Sequence, residues 1–143
     1  MKHIFLVHTS WGEWQAAHPT TLVLSTNTGH LRNYERDPYA GYARRRDLMF
    51  DVRHLDPTYY PKEWILGLEV DGAFKAYPFV ELQKLHKPLA DRVNGQKVLI
   101  HFNPQAQSAF ATDADGKPMP SVTAFWFAWY AFHPDTQVLK VSE

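Results

Sequence analysis

Eight residues, Trp11, Trp14, Ala16, His18, Pro19, Thr21, Val23 and Leu24, recur in the same order and spacing as Trp126, Trp129, Ala131, His133, Pro134, Thr136, Val138 and Leu139. The offset is 115 residues throughout (126 − 11). A 143-residue chain that carries one module at each end is expected to use it as a pair of related helix–strand caps around whatever lies between. In the first copy, Ser10 followed three residues later by Glu13 reads as a capping box. Trp11, Trp14, Ala17 and His18 then keep helical spacing, and Pro19 stops the helix because it disfavours helical geometry in the residue before it. Leu22-Val23-Leu24-Ser25 reads as a short strand and Asn27-Thr28-Gly29 as a turn. In the second copy, residues 124–132 are hydrophobic all round, which predicts a helix enclosed by other elements. Pro134 ends it, and residues 137–141 supply a final strand.

Hairpin signals fill the middle. Residues 64–70 and 73–77 read as two strands joined by Asp71-Gly72, the strongest short hairpin signal in the chain. Pro78 suits the first position of a short helix over residues 80–85, which ends before Pro88. Asn94-Gly95 turns into a strand over residues 97–102, and residues 108–112 form the next, before a turn at Ala114-Asp115-Gly116. Gly67 stands inside a strand, which suggests a close backbone approach or a bulge. Residues 30–63 hold neither strand nor helix period; two Asp-Pro pairs and five tyrosines mark a long, ordered, aromatic-pinned loop. The pattern is that of an α+β fold, a mostly antiparallel sheet with short helices packed against it, and the length is that of a single domain over residues 1–143.

Fifteen basic residues balance fifteen acidic ones, so no overall field draws the chain to nucleic acid, and no helix-turn-helix, zinc or glycine-rich nucleic-acid motif is present. The absence of cysteine excludes disulfides, thiolate metal sites and cysteine nucleophiles. With phosphate-loop, dinucleotide and compact zinc signatures also missing, the expectation is no cofactor and no metal. The apolar run at residues 4–7 is shorter than the roughly 7–15 residues of a secretory core and the about 20 of a membrane span. The chain therefore reads as soluble and without its own export signal, with its compartment undetermined.

The segments WGEW…HP.T.VLS, NTG…NYERDPYAGY, PKEWILGLEVDGAFKAYP, NGQKVLIHFNPQAQSAFATD and AFWFAWYAFHPDTQVL together resemble the DUF3179 family, a domain of unknown function, from about Thr9 to Val141. Longer members of that family are built as two related halves and are often exported or lipid-anchored, and the chain is similar to the second, cysteine-free half. By that resemblance it is a fragment or a short member, and a protein partner or self-association is expected of it. The family's Cys-Pro-x-Cys-Gly-Thr-like stretch matches Asn103 to Ser108 here, with Asn103 and Ala106 at the cysteine positions. No thiol, redox or metal role carries over, and the resemblance implies no established reaction.

Candidate chemistry rests on few residues. Arg32, Tyr34, Arg36 and Tyr39 fall within NYERDPY and its flank; arginine grips anions in a fork, and tyrosine adds a ring face and a hydroxyl. His101 stands near a strand end beside Asn103, sharing its face with Leu99, and imidazole near neutral pH acts as base or ligand. The first expectation is a binding domain for a small polar or anionic ligand, recognised by these six residues. The alternatives are a hydrolase-like enzyme with His101 as acid or base, and a structural domain that packs against a partner half. His18 and His133, each at a helix end before proline, read as helix-terminal caps rather than ligands.

Overall fold

The computed structural model describes residues 8–141. Two tight turns set the strand layout. Asp71 (φ 47°) and Gly72 (φ 80°) carry the paired positive φ values of a type I′ turn and join β1 (Trp64–Val70) to β2 (Ala73–Pro78). Asn94 (φ 48°) and Gly95 (φ 78°) do the same between β3 (Leu89–Val93) and β4 (Gln96–Asn103). The chain continues through β5 (Ser108–Thr112), β6 (Pro118–Met119), β7 (Ser121–Phe125) and β8 (Gln137–Val138). Among the described residues, three short helices, α1 (Trp11–Ala17), α2 (Phe79–Leu82) and α3 (Trp126–Phe132), complete the α+β fold, with a 3-10 turn at Tyr42–Arg44.

Among the described residues the strands form two four-stranded sheets. Sheet A runs β7-β1-β2-β8 and sheet B runs β3-β4-β5-β6. Every pairing is antiparallel except β2 with β8. Leu66, Leu68, Val70 and Tyr77 of sheet A share one core with Val93, Val98, Ile100, Ala109 and Ala111 of sheet B, and α2 adds Phe79 and Leu82 as the chain passes between them. A second core lies where α3 seats Trp126 and Trp129 against Ile65 and Ala76 of sheet A. Those two residues alternate with the inward set along β1 and β2, so they occupy the opposite face. The helix lacks a side-chain N-cap; its first free N–H groups donate to backbone carbonyls instead, Trp126 N–H to Glu63 O at 2.8 Å and Phe127 N–H to Pro61 O at 2.9 Å.

A polar cluster joins the two sheets. Lys75 Nζ donates to Asp91 Oδ2 at 2.7 Å and the Tyr77 hydroxyl to the same oxygen at 3.0 Å. Burial works to raise the Asp91 carboxyl, but the donors from Lys75, the Arg92 N–H and Tyr77 outweigh it and hold it below its ordinary value. A depressed carboxyl contributes stability above its unfolded value and loses it as pH falls through the folded one, so this contribution fades only in strong acid. Asp91→Ala is expected to cost about 2 kcal/mol in urea unfolding at pH 7, below the roughly 3–5 kcal/mol of a fully buried pair because both side chains keep some contact with water. A second clasp ties three distant segments: Glu81 accepts from Tyr59 OH at 3.3 Å, Lys84 Nζ at 2.8 Å and Val141 N–H at 3.1 Å.

Several elements differ from the sequence reading. Leu22 to Ser25 form no strand, because no described segment pairs with them. The all-apolar run 124–132 begins as strand: Ala124 and Phe125 belong to β7, opposite Ile65 and Trp64, and the helix starts at Trp126. β8 is two residues rather than five, and α2 four rather than six. β3, β6 and β7 were not foreseen. Residues 30–63 do form a long connection, and Lys62 fastens part of it: Nζ donates to the carbonyls of Arg45 and Asp47 and lies 3.7 Å from the Tyr42 ring centroid. Tyr34 and Tyr39, by contrast, are exposed, so the pinning by tyrosine is partial.

Candidate functional site

Strand alternation decides which groups meet α1. Val98 and Ile100 point into the shared core, so Leu99, His101 and Asn103 point outward from β4. Their antiparallel partners on β5 are Thr112, Phe110 and Ser108. These six residues form the outer face of sheet B, and α1 lies against one end of it.

Glu13 makes that contact. As the third helical residue, its backbone N–H donates to Ser10 Oγ at 3.2 Å, the first half of the expected capping box. The side chain does not complete the box. Its carboxylate accepts from Thr9 Oγ1, from Asn103 Nδ2 at 2.9 Å and from Ser108 Oγ at 2.9 Å. The Thr9 bond does most to lower the Glu13 carboxyl below its ordinary value; burial opposes, and Ser108 and Asn103 add to the lowering. Asn103 is held in turn, its Oδ1 accepting from the Gln105 N–H at 3.0 Å and the Ala106 N–H at 3.2 Å across the β4–β5 turn. Beside this cluster a cleft of about 250 Å³ opens between α1 and sheet B, walled by Trp14, Ala17, His18, Phe110 and Pro118, with Glu13, Thr9 and Ser108 at its polar side.

A second cleft of about 310 Å³ lies where the α2–β3 connection meets β4, among Leu85, Leu89, Phe102 and Pro104, with Gln83, His86 and Lys87 as its polar groups. Its lining brings no carboxylate. The α1 cleft is the smaller, and it differs in holding a carboxylate fixed by three side-chain donors.

His101 neighbours the α1 cleft through Phe110. The two rings stack at 4.5 Å and 7°, and Nε2 lies 3.2 Å from Thr112 Oγ1. Burial lowers its pKa. His133 is lowered too, burial prevailing over the opposing Glu69 charge. A histidine held below its unfolded value favours the neutral form, so the fold loses stability as pH drops through about 6.5 and below. The melting temperature is expected to fall between about pH 7 and about pH 5, and the His101→Gln/His133→Gln protein to show a flatter profile over the same range.

Arg32, Tyr34, Arg36 and Tyr39 lie elsewhere, all exposed on the long connection. Tyr34 OH is 2.6 Å from Thr28 Oγ1, and Tyr39 N–H donates to Asp37 Oδ1 at 2.8 Å. Among the described residues, no hydrogen bond, ion pair or ring contact joins these four to His101 or Asn103, and neither arginine forms an ion pair. Two of the six expected residues thus share a strand face, and the arginine segment is separate.

Glu13 was the residue that sequence reasoning passed over as a ligand group. A signal was available: the position 115 residues on is Ala128, so the two modules differ there by a carboxylate. Otherwise their local geometry matches closely. Trp14 Nε1–H and Trp129 Nε1–H each donate to a threonine hydroxyl, Thr21 and Thr136, at 3.0 Å. Each indole lies 4.2 Å from the ring of its histidine, and each histidine N–H closes its helix on the tryptophan carbonyl, at 2.8 Å for His18 and 3.0 Å for His133.

Among the described residues, no helix is long and apolar enough to cross a membrane, and no three His, Asp or Glu side chains cluster as metal ligands. A family model described as "Protein of unknown function (DUF3179)" matches residues 1–117, ending before β6, β7 and α3. No curated protein and no solved structure matches the chain.

Proposed function

Since the chain belongs to the DUF3179 family, whose description assigns no activity, we propose from its geometry that it is a binding domain for a small ligand held between α1 and the outer face of sheet B. The observation that carries this reading is the Glu13 carboxylate, fixed by three side-chain donors at one side of a cleft otherwise walled by Trp14, Ala17, Phe110 and Pro118. A site of that kind suits a compact molecule with an apolar body and one cationic or hydrogen-bond-donating group: the body covers Trp14 and Phe110, and the donor meets the carboxylate. A cleft of about 250 Å³, open to solvent on one side, suits a ligand of fragment size. Asn103 and Ser108 position Glu13 in this reading, and His101 supports Phe110 from behind.

An anionic ligand is disfavoured there, because it would meet the ionised Glu13. Anion binding belongs instead to the exposed segment of Arg32, Tyr34, Arg36 and Tyr39, where neither guanidinium is engaged in an ion pair among the described residues. A catalytic role for His101 draws no support from its surroundings, since Thr112 and the Phe110 ring are its partners and neither raises its basicity.

The discriminating experiment is calorimetric titration with small aromatic amines and, separately, with inorganic phosphate. Glu13→Gln is expected to weaken amine binding about tenfold, the equivalent of one charge-assisted hydrogen bond, while Arg32→Ala leaves it unchanged. Binding of phosphate alone, lost on Arg32→Ala or Arg36→Ala, would transfer the site to the long connection.

A further inference from the structure

Two features of the molecule are each incomplete, and they are complementary. The first is the segment after α1. In the C-terminal module the tryptophan–threonine bond and the histidine cap lead into β8, which pairs in parallel with Lys75 and Ala76 of β2. Leu139 follows, its N–H donating to Ala76 O at 2.9 Å and its side chain packing on the main core. The N-terminal module has the same cap, the same Trp–Thr bond and the same turn, with Thr21 N–H donating to His18 O at 3.1 Å, as Thr136 N–H does to His133 O. Leu22, Val23 and Leu24 stand where Gln137, Val138 and Leu139 stand in the other copy, yet they are 94%, 67% and 95% exposed. The segment has the apolar sequence of a strand, forms none, and has no sheet to join among the described residues.

The second feature is a sheet edge that lacks the usual protection among the described residues. Natural sheets guard their edges by short strands, proline or charge. β8 and β6 are two residues each; β6 begins at Pro118, and Pro120 separates it from the start of β7. β3 carries Asp91 and Arg92. β7, with sequence SVTAF, is five residues long and has neither charge nor proline within it. It pairs with β1 on one side only among the described residues, and Val122 is 52% exposed. Because β7 and β2 are both antiparallel to β1, they run parallel to each other. An added strand on β7 in the orientation of β8 on β2 therefore also runs parallel.

We propose that Leu22–Leu24 of one molecule adds as a parallel strand to the outer edge of β7 in a second copy, and reciprocally, to give a twofold dimer. Neither segment carries a charge and the chain is neutral overall, so no electrostatic repulsion opposes the pairing. Reciprocal exchange closes the assembly at two chains and buries the leucines that a monomer leaves in water. Main-chain hydrogen bonds supply the strand addition, and the Trp14–Thr21 bond holds the strand in its docking direction before the partner arrives.

The test is sedimentation velocity on the full chain across about 1–100 µM, with Val23→Pro and Val122→Lys as variants. Both substitutions fall at exposed positions, so the melting temperature of the monomer should hold. The wild-type chain is expected to dimerise, and each variant to raise the dimer dissociation constant about tenfold or more, as loss of a ladder hydrogen bond or an edge charge would. A monomer at every concentration overturns the proposal. So does a dimer that Val122→Lys dissolves and Val23→Pro does not, which would mean β7 pairing with itself. A dimer indifferent to both variants places the contact elsewhere and overturns it as well.

Discussion

Trp126→Ala is expected to cost about 4 kcal/mol of folding stability, and the corresponding change at Trp11, in the other copy of the module, less than about 0.5 kcal/mol. The two residues hold the same place in the recurring pattern, but Trp126 is 1% exposed and Trp11 49%. The Trp126 ring meets Tyr59 edge-on at 5.5 Å, and its Nε1–H donates to Asp56 O at 3.1 Å. Alanine there opens a cavity in a packed layer, leaves that carbonyl without its indole donor and loosens the connection that Tyr59 and Asp56 anchor. Trp11 contributes no such contacts among the described residues. Urea unfolding of the two variants side by side checks the asymmetry. Comparable losses at both positions would mean that α1 is as firmly seated as α3.

Gly67→Ala is expected to cost about 3 kcal/mol, near the top of the usual range for overpacking. A Cβ on Gly67 would sit 2.2 Å from Trp129 Cζ3, with two further ring carbons within 2.6 Å. The indole cannot swing aside cheaply, since its Nε1–H is bonded to Thr136 and its ring packs against Phe74 and His133. β1 is equally fixed, with β7 on one side and β2 on the other. The strain lies between two identified groups, so shortening the ring should relieve it. Gly67→Ala combined with Trp129→Leu is expected to be less destabilised than the sum of the two single variants, by about 1 kcal/mol or more. Strict additivity would show that the alanine acts through β1 alone.

The hairpins were legible because their turns are encoded locally. Asp71-Gly72 and Asn94-Gly95 supply the left-handed pair that a two-residue loop requires, whatever surrounds them. Gly67 was legible as a close approach or a bulge; the strand register runs through it unbroken, and the approach is that of the Trp129 ring. β7 was hidden because Ala124 and Phe125 extend the apolar run of α3 without a break, and only pairing with Ile65 and Trp64 tells strand from helix there. Leu22 to Ser25 failed in the opposite sense: the residues favour a strand, but a strand needs a neighbour.

The recurrence itself conveyed local geometry more faithfully than position. Phe125, Phe127 and Tyr130 in the second copy stand opposite Ser10, Gly12 and Gln15 in the first. Of these, Tyr130 packs beside Trp126 and Trp129 against sheet A, and Phe127 is buried next to Phe50 of the long connection, whereas α1 buries no residue and leaves a cleft beneath Trp14. Strand alternation needs only period two, so the shared outward face of His101 and Asn103 on β4 was legible, although neither residue lines the cleft. Glu13 meets Asn103 and Ser108 across 90 and 95 residues of chain, a contact that no local pattern encodes.

The cleft under α1 can be followed through the five indole N–H signals of the protein, which resolve separately. The measurement is a nitrogen-15 NMR titration of the full chain with a small aromatic amine. The Trp14 indole, bonded to Thr21 at the cleft wall, is expected to shift progressively and to saturate, while Trp126 and Trp129 stay in place. The Glu13→Gln protein should need about ten times more amine to reach the same shift. A Trp14 signal that stays fixed at saturating amine, or that moves no more than those of the buried tryptophans, would contradict the assignment of this cleft as a binding site.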